Sequence, residues 1–315
     1  MFDNLIGQET AVKLLQQAVN CDRVAPAYLF AGMSGVGRSI AAQNFARLLL
    51  LKGLASEQHS LATKKILANN HPDLLWVKPT YLSKGQLYTA QEAIEQGLNY
   101  QTPPKIRIEQ IRGITQFLQR PILEATRKVV VIAEAQTMAE ASANALLKTL
   151  EEPGNATLIL IAPSPDALLS TLVSRCQRIQ FSGLSSTNLG KVLEREGYLE
   201  IMQHPELIAI SQGSPGKAIA AWQQLQTIPN ELLQQLTRSI SSSLTAMILA
   251  QTITKELDLN TQLWLVDYLQ QYHWQNNPQI PLIRSWETTR KQLLSYVQPR
   301  LVWECALLNC YHATN

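Results

Sequence analysis

Hydrophobic positions in the first half of the chain gather into short unbroken runs separated by longer amphipathic stretches. Residues 27–31, 129–133 and 157–162 are almost wholly apolar. Runs of this length without polar alternation read as strands of a parallel sheet buried on both faces. Residues 74–77, entered through His71-Pro72-Asp73, and 178–181 read as two shorter strands. Helices are predicted between them. One covers 38–51 after a glycine-rich turn, and one covers 139–150, stopped by Pro153-Gly154. A third carries Ile106, Ile111, Ile114 and Leu118 at mostly helical spacing. Strands separated by helices imply a parallel sheet with right-handed crossovers. Residues 78–105 are polar and irregular and end in Pro103-Pro104, so a long surface loop or insertion is expected there.

After about Ser182 the strand pattern stops. Residues 184–195, 205–211 and 215–226 read as short helices, and the Leu- and Gln-rich remainder reads as helical to its end. The expected organisation is α/β: a phosphate-loop parallel-sheet domain over 1–181, a small helical lid over 182–227 and an all-α C-terminal domain over 228–315. No internal repeat interrupts this plan.

Composition narrows the picture. With 315 residues, 46% of them hydrophobic, the chain can build two or three cores. A net charge of +3 with 16% charged residues permits contact with nucleic acid without demanding it, and no basic tract marks a strong duplex binder. Cys21, Cys176, Cys305 and Cys310 are scattered without CxxC spacing, which suits reduced thiols, with Cys305 and Cys310 as helical core residues. Met1-Phe2-Asp3-Asn4 carries no signal-peptide features, and the apolar runs fall short of the roughly 18 residues of a membrane span. A cytoplasmic location away from the membrane is therefore expected.

The candidate chemistry begins at Gly32-Met33-Ser34-Gly35-Val36-Gly37-Arg38-Ser39. This matches G-x-x-x-x-G-K-[ST] at every specified position but the lysine. A strand precedes it and a helix follows, so backbone N–H groups and a helix N-terminus would converge on phosphate oxygens. Gly32, Gly35, Gly37, Arg38 and Ser39 are the candidate nucleotide-binding residues. Arg38 puts a wide planar guanidinium where a compact ammonium belongs. A second departure follows the run 129–132, where the magnesium-holding aspartate of such proteins is replaced by Ala133. Glu134 remains, either to orient a water or as a relic with a packing role. Weak ATP and magnesium binding is expected, and no dedicated metal site. Arg38 bridging to Glu134, and so rigidifying the loop, is a further expectation.

These pieces occur in order with Asn4-Leu5-Ile6-Gly7-Gln8, Asn70-His71-Pro72-Asp73, the stretch from Asn144 through Glu151-Glu152-Pro153, and Ser174-Arg175-Cys176. Over about residues 2–220 the set resembles the clamp-loader AAA+ subunits of bacterial DNA polymerase III. Arg38 and Ala133 point to the delta-prime branch, whose own site is often degenerate. The resemblance implies that the C-terminal domain is an oligomerisation collar. It also implies that Arg175 is a finger offered in trans to a neighbouring ATPase subunit, where such a group stabilises transition-state charge. Read without the family, Arg175 is a surface arginine or a local ion pair. Pro163 takes the place of a polar sensor, and Lys217 in Gly213-Ser214-Pro215-Gly216-Lys217 stands where a second sensor arginine is usual. The four-cysteine zinc module of many relatives has no counterpart before Asn70, so no zinc is expected.

The implied role is that of a stator in a hetero-pentamer with motor subunits and a delta subunit. The complex loads a sliding clamp on primed DNA for a polymerase holoenzyme, and this chain needs no turnover of its own. Two alternatives stand beside it: an active AAA+ motor subunit with an atypical loop, and a scaffold or DNA-binding protein that kept the shell.

Overall fold

The computed structural model describes residues 2–83, 85–98, 100, 102–238, 240–276, 278–295 and 297–314. The chain divides into two compact units, Met1–Leu184 and Ser185–Asn315.

The first unit is built on a five-stranded parallel sheet in the order β2-β5-β6-β1-β7. Its strands are β1 (Ala27–Ala31), β2 (Leu74–Val77), β5 (Lys128–Ile132), β6 (Ala156–Ala162) and β7 (Gln177–Gln180). Helices α1 (Glu9–Asn20), α2 (Arg38–Leu51), α3 (His59–Leu67), α5 (Ile108–Gln119), α6 (Glu140–Glu151) and the single turn α7 (Ser170–Val173) surround it. Every residue of β1, β5 and β6 is buried, which is why these runs lack polar alternation. Alternate side chains of β1 point to opposite faces. Leu29 packs with Val130, Leu158 and Leu160 against Ile111 and Ile114 of α5 and Leu146 and Leu150 of α6. Tyr28 and Phe30 turn the other way, and Tyr28 meets Phe45 of α2 edge-on at 5.0 Å between ring centres.

Lys128 starts β5 one residue ahead of the expected run and is 3% exposed. Its ammonium donates to the carbonyls of Phe117, Leu118 and Arg120, closing the C-terminal end of α5. Of the loop or insertion expected over 78–105, the structure has an insertion with secondary structure of its own. Strands β3 (Thr80–Ser83) and β4 (Gln86–Thr89) form an antiparallel hairpin, and α4 (Ala90–Glu95) follows, opened by a Thr89–Glu92 capping box. Tyr81 stacks on Tyr100 at 4.2 Å. Four-residue strands leave too short a period-two pattern to stand out in a polar segment.

Asp73 is fully buried ahead of β2. Its carboxylate accepts the backbone N–H groups of Leu123, Glu124 and Ala125 at 3.0, 2.8 and 2.9 Å. Burial raises its pKa, and those three donors together lower it by more, for a net depression. His71 accepts the Asp73 N–H at Nδ1 (3.1 Å), so Nε2 carries the proton, with no hydrogen-bond partner. Burial lowers the His71 pKa.

The second unit is all helical: α8 (Ser186–Arg195), α9 (Pro205–Ser211), α10 (Pro215–Gln226), α11 (Asn230–Thr237), α12 (Ser243–Glu256), α13 (Leu259–Asn276), α14 (Ile280–Leu294) and α15 (Pro299–Thr314). From Ser185 on, the segments expected as lid and as C-terminal domain both lie inside it, while residues 182–184 fall in the first unit. The buried Glu206 of α9 accepts the Tyr268 hydroxyl of α13 at 3.0 Å, a polar tie between those two stretches. Trp286 and Trp303 centre its core, and Trp303 donates to Gln262 at 2.9 Å. Cys310 is buried as expected of a core residue, but Cys305 is exposed, because it faces outward on α15. Among the described residues no helix is long and apolar enough to cross a membrane.

Candidate functional site

The glycine loop lies at the C-terminal end of β1, between β6 and β7, where neighbouring connections leave the sheet in opposite directions and ligands commonly bind in such folds. Gly32 donates its N–H to Ala162 O at 3.3 Å. A Cβ at Gly32 would sit 2.3 Å from Phe181 O, so the strand end and loop can pass only with glycine there. Gly35 lies at φ +79°, and Gly37 is the left-handed N-cap of α2 at φ +99°. The N-terminal segment closes over the loop. Gln8 donates to Val36 O (3.2 Å) and Ser182 O (2.8 Å), and Asn44 of α2 donates to Asn4 (2.7 Å). The early Asn4-to-Gln8 motif is thus a clasp that ties the loop to the chain after β7.

Arg38 and Ser39 begin α2, and Ser39 is exposed. Arg38 is half-buried, and its Nη1 is enclosed without a hydrogen-bond acceptor. Burial lowers its pKa and the charge of Glu134 opposes that shift. The two do not form the expected bridge: Glu134 is exposed and no ion pair or hydrogen bond joins it to Arg38. The cause is local backbone. Glu134 sits in the left-handed region at φ +51°, and its carbonyl accepts from Thr137 N and Thr137 Oγ1 as a short turn begins. Ala133 lies just past the end of β5 and offers only a methyl group, and Pro163 just past β6 offers no donor. The loop has the shape and backbone donors for phosphate oxygens, but these residues do not fit a magnesium-bound nucleotide. No group of three or more His, Cys, Asp or Glu side chains among the described residues is placed to hold a metal ion.

Arg175 occupies a second, exposed corner, beyond α7. Its Nε and Nη2 both donate to Glu151 Oε1, at 2.9 and 2.6 Å, and Nη1 donates to Thr171 O at 3.0 Å. The stretch ahead of it is a 3-10 turn at Pro165–Ala167 followed by α7. The partner Glu151 carries no signal of this role in the sequence, being 24 positions away. Lys217 belongs to the second unit, in the first turn of α10, where its N–H is accepted by the Ser214 hydroxyl at 3.2 Å.

Comparison with known proteins bears on both units. Residues 7–185 match the family model described as DNA polymerase III, delta subunit. Residues 187–310 match the model for the C-terminal domain of cyanobacterial DNA polymerase III delta prime, so the likeness extends beyond about residue 220, where the recognisable sequence motifs stop. The chain is 34% identical to DNA polymerase III subunit delta' of Bacillus subtilis over 180 residues, 56% of this chain and 48% of that one. It is 32% identical to subunit delta' of Pseudomonas aeruginosa over 199 residues, 61% of this chain and 54% of that one. It therefore matches about half the length of these relatives. A gamma subunit-related protein of DNA polymerase III from Thermotoga maritima superposes with a TM-score of 0.54 at 16% identity, covering 98% of this chain and 100% of that one, which supports the AAA+ fold. With one family model spanning more than half of the residues and the second covering most of the rest, the chain belongs to the DNA polymerase III delta-subunit family, in its delta-prime branch.

Proposed function

We propose that this chain is the stator subunit of a clamp-loader complex, loading a sliding clamp on primed DNA during replication in the cytoplasm. Its partners in this reading are ATPase motor subunits and a delta subunit, held together in part by the C-terminal helices. It contributes Arg175 to ATP hydrolysis on an adjacent motor subunit and does not turn over nucleotide itself. The observation that carries the reading is the asymmetry between the two corners. The loop corner has lost its metal ligand at Ala133 and holds an unsatisfied arginine nitrogen, while the exposed corner keeps a guanidinium ordered at the surface.

In this mechanism the neighbour supplies the nucleotide and metal. Arg175 supplies delocalised positive charge and N–H donors aimed at the terminal phosphate, where charge builds in the transition state. Glycine turns, the clasp from Gln8 and the buried sheet keep the shell rigid without a bound nucleotide. The motor-subunit alternative is not favoured, because a motor needs a metal ligand at the position of Ala133. Replacing Arg175 by alanine in the assembled complex tests the reading. Hydrolysis at the adjacent site should collapse while the isolated chain melts as before, and unchanged hydrolysis would refute it.

A further inference from the structure

We propose that Glu151 is a positioning residue for Arg175, fixing the guanidinium in the orientation it uses on the neighbouring subunit. The inference rests on the trans-acting role given to Arg175 above. A guanidinium carries five N–H donors. Two are spent on one oxygen of Glu151, at 2.9 and 2.6 Å, and Nη1 donates to Thr171 O at 3.0 Å with Ser174 Oγ at 3.5 Å. One edge of the fork is therefore anchored to the protein, and at least one N–H of Nη2 is left without an acceptor. Both anchors stand on rigid elements. Glu151 ends α6, whose Leu146 and Leu150 are buried, and Thr171 lies in α7 beside buried Leu172 and Val173.

Stability does not explain the arrangement. The two side chains are 37% and 50% exposed, and ion pairs this open contribute little to folding. Ordering is a better account. An arginine free in water loses rotamer entropy whenever it docks, and a group set in advance avoids that loss at the moment of reaction. The carboxylate also partly neutralises the guanidinium, as do the carbonyls at the C-terminal ends of α6 and α7. A strongly charged acceptor such as a terminal phosphate can still compete for its open edge, and a neutral surface cannot.

The test is ATP hydrolysis by the assembled complex at the site facing Arg175, with Glu151→Ala, Glu151→Gln, Arg175→Ala and the Glu151→Ala/Arg175→Ala pair. Glu151→Ala is expected to lower kcat about tenfold with KM unchanged, the pattern of a group misplaced only in the transition state. Glu151→Gln, whose amide oxygen can accept the same donors, should restore kcat to within about twofold of wild type. Glu151→Ala should cost nothing further once Arg175 is gone. A merely structural role would instead lower the melting temperature and add to the loss in the double variant, and that outcome overturns the proposal. So does a Glu151→Ala complex that hydrolyses like wild type while Arg175→Ala is impaired. If Arg175→Ala itself is fully active, the trans-acting reading fails and this inference falls with it.

Discussion

Two arginines define two corners of the first unit, and they are opposites. Arg38 is half-buried at the head of α2 with one enclosed nitrogen unsatisfied, and Arg175 is exposed with its fork bonded to a carboxylate and a carbonyl. An ATPase site needs a charge buried where phosphate will satisfy it, together with a metal ligand. The Arg38 corner keeps the cradle and lacks the ligand. The Arg175 corner spends its interactions on ordering one cation at the surface. Under the proposed function, the difference means that a phosphate loop persists as architecture while the chain makes its chemical contribution at another edge of the same fold.

The largest expected effect breaks the comparison at its exposed side. Arg175→Ala should slow hydrolysis at the adjacent site by roughly 10³-fold in the assembled complex, measured by phosphate release, with no change in the melting temperature of the isolated chain. Next comes the buried framework of the first unit. Asp73→Ala strands three backbone N–H groups and should destabilise the first unit by about 3 kcal/mol in denaturant unfolding. Gly32→Ala forces a Cβ against Phe181 O and should cost about 2 kcal/mol, showing that the loop is held by packing rather than by a ligand. Converting the silent corner is a smaller step. Arg38→Lys with Ala133→Asp should raise Mg-ATP affinity of the isolated chain by about tenfold or more in calorimetry, while wild type stays silent.

The smallest effect lies in pH. The Asp73 pKa is depressed in the fold, so its stabilisation is present above the ordinary carboxylate value and is lost as pH falls through the folded value. His71 is also depressed, by burial. The unfolded chain takes up its proton first, and stability declines as pH drops below about 6.5. His71→Asn, which can keep an acceptor for the Asp73 N–H, should flatten the part of the stability profile that declines just below about pH 6.5, leaving the acid limb of Asp73 intact.

Much of this was legible in sequence. The strand at 27–31 begins and ends where its pattern does, because full burial leaves no polar residue inside a central strand, and the edge strand at 74–77 and the helix at 38–51 also match their patterns. The positions of Gly32, Gly37, Arg38 and Ala133 around the end of β1 and β5 follow from strand-then-loop order alone. The hairpin within 78–105 was not legible, since its strands are four residues long and pair mainly with each other, outside the main sheet. Nor was the failed Arg38–Glu134 bridge, which depends on one left-handed residue after β5.

What the sequence by itself determined is therefore the alternation of buried strands and amphipathic helices, the glycine loop and its two chemical losses. These depend on residue type and on spacing within one element. Tertiary structure alone decided which distant groups meet: Glu151 with Arg175, Asp73 with the backbone at 123–125, Gln8 with Val36 and Ser182. Such pairings leave no periodic mark in a sequence, because a hydrogen bond fixes only the two ends of the chain segment it closes, and the sheet sets where those ends come together.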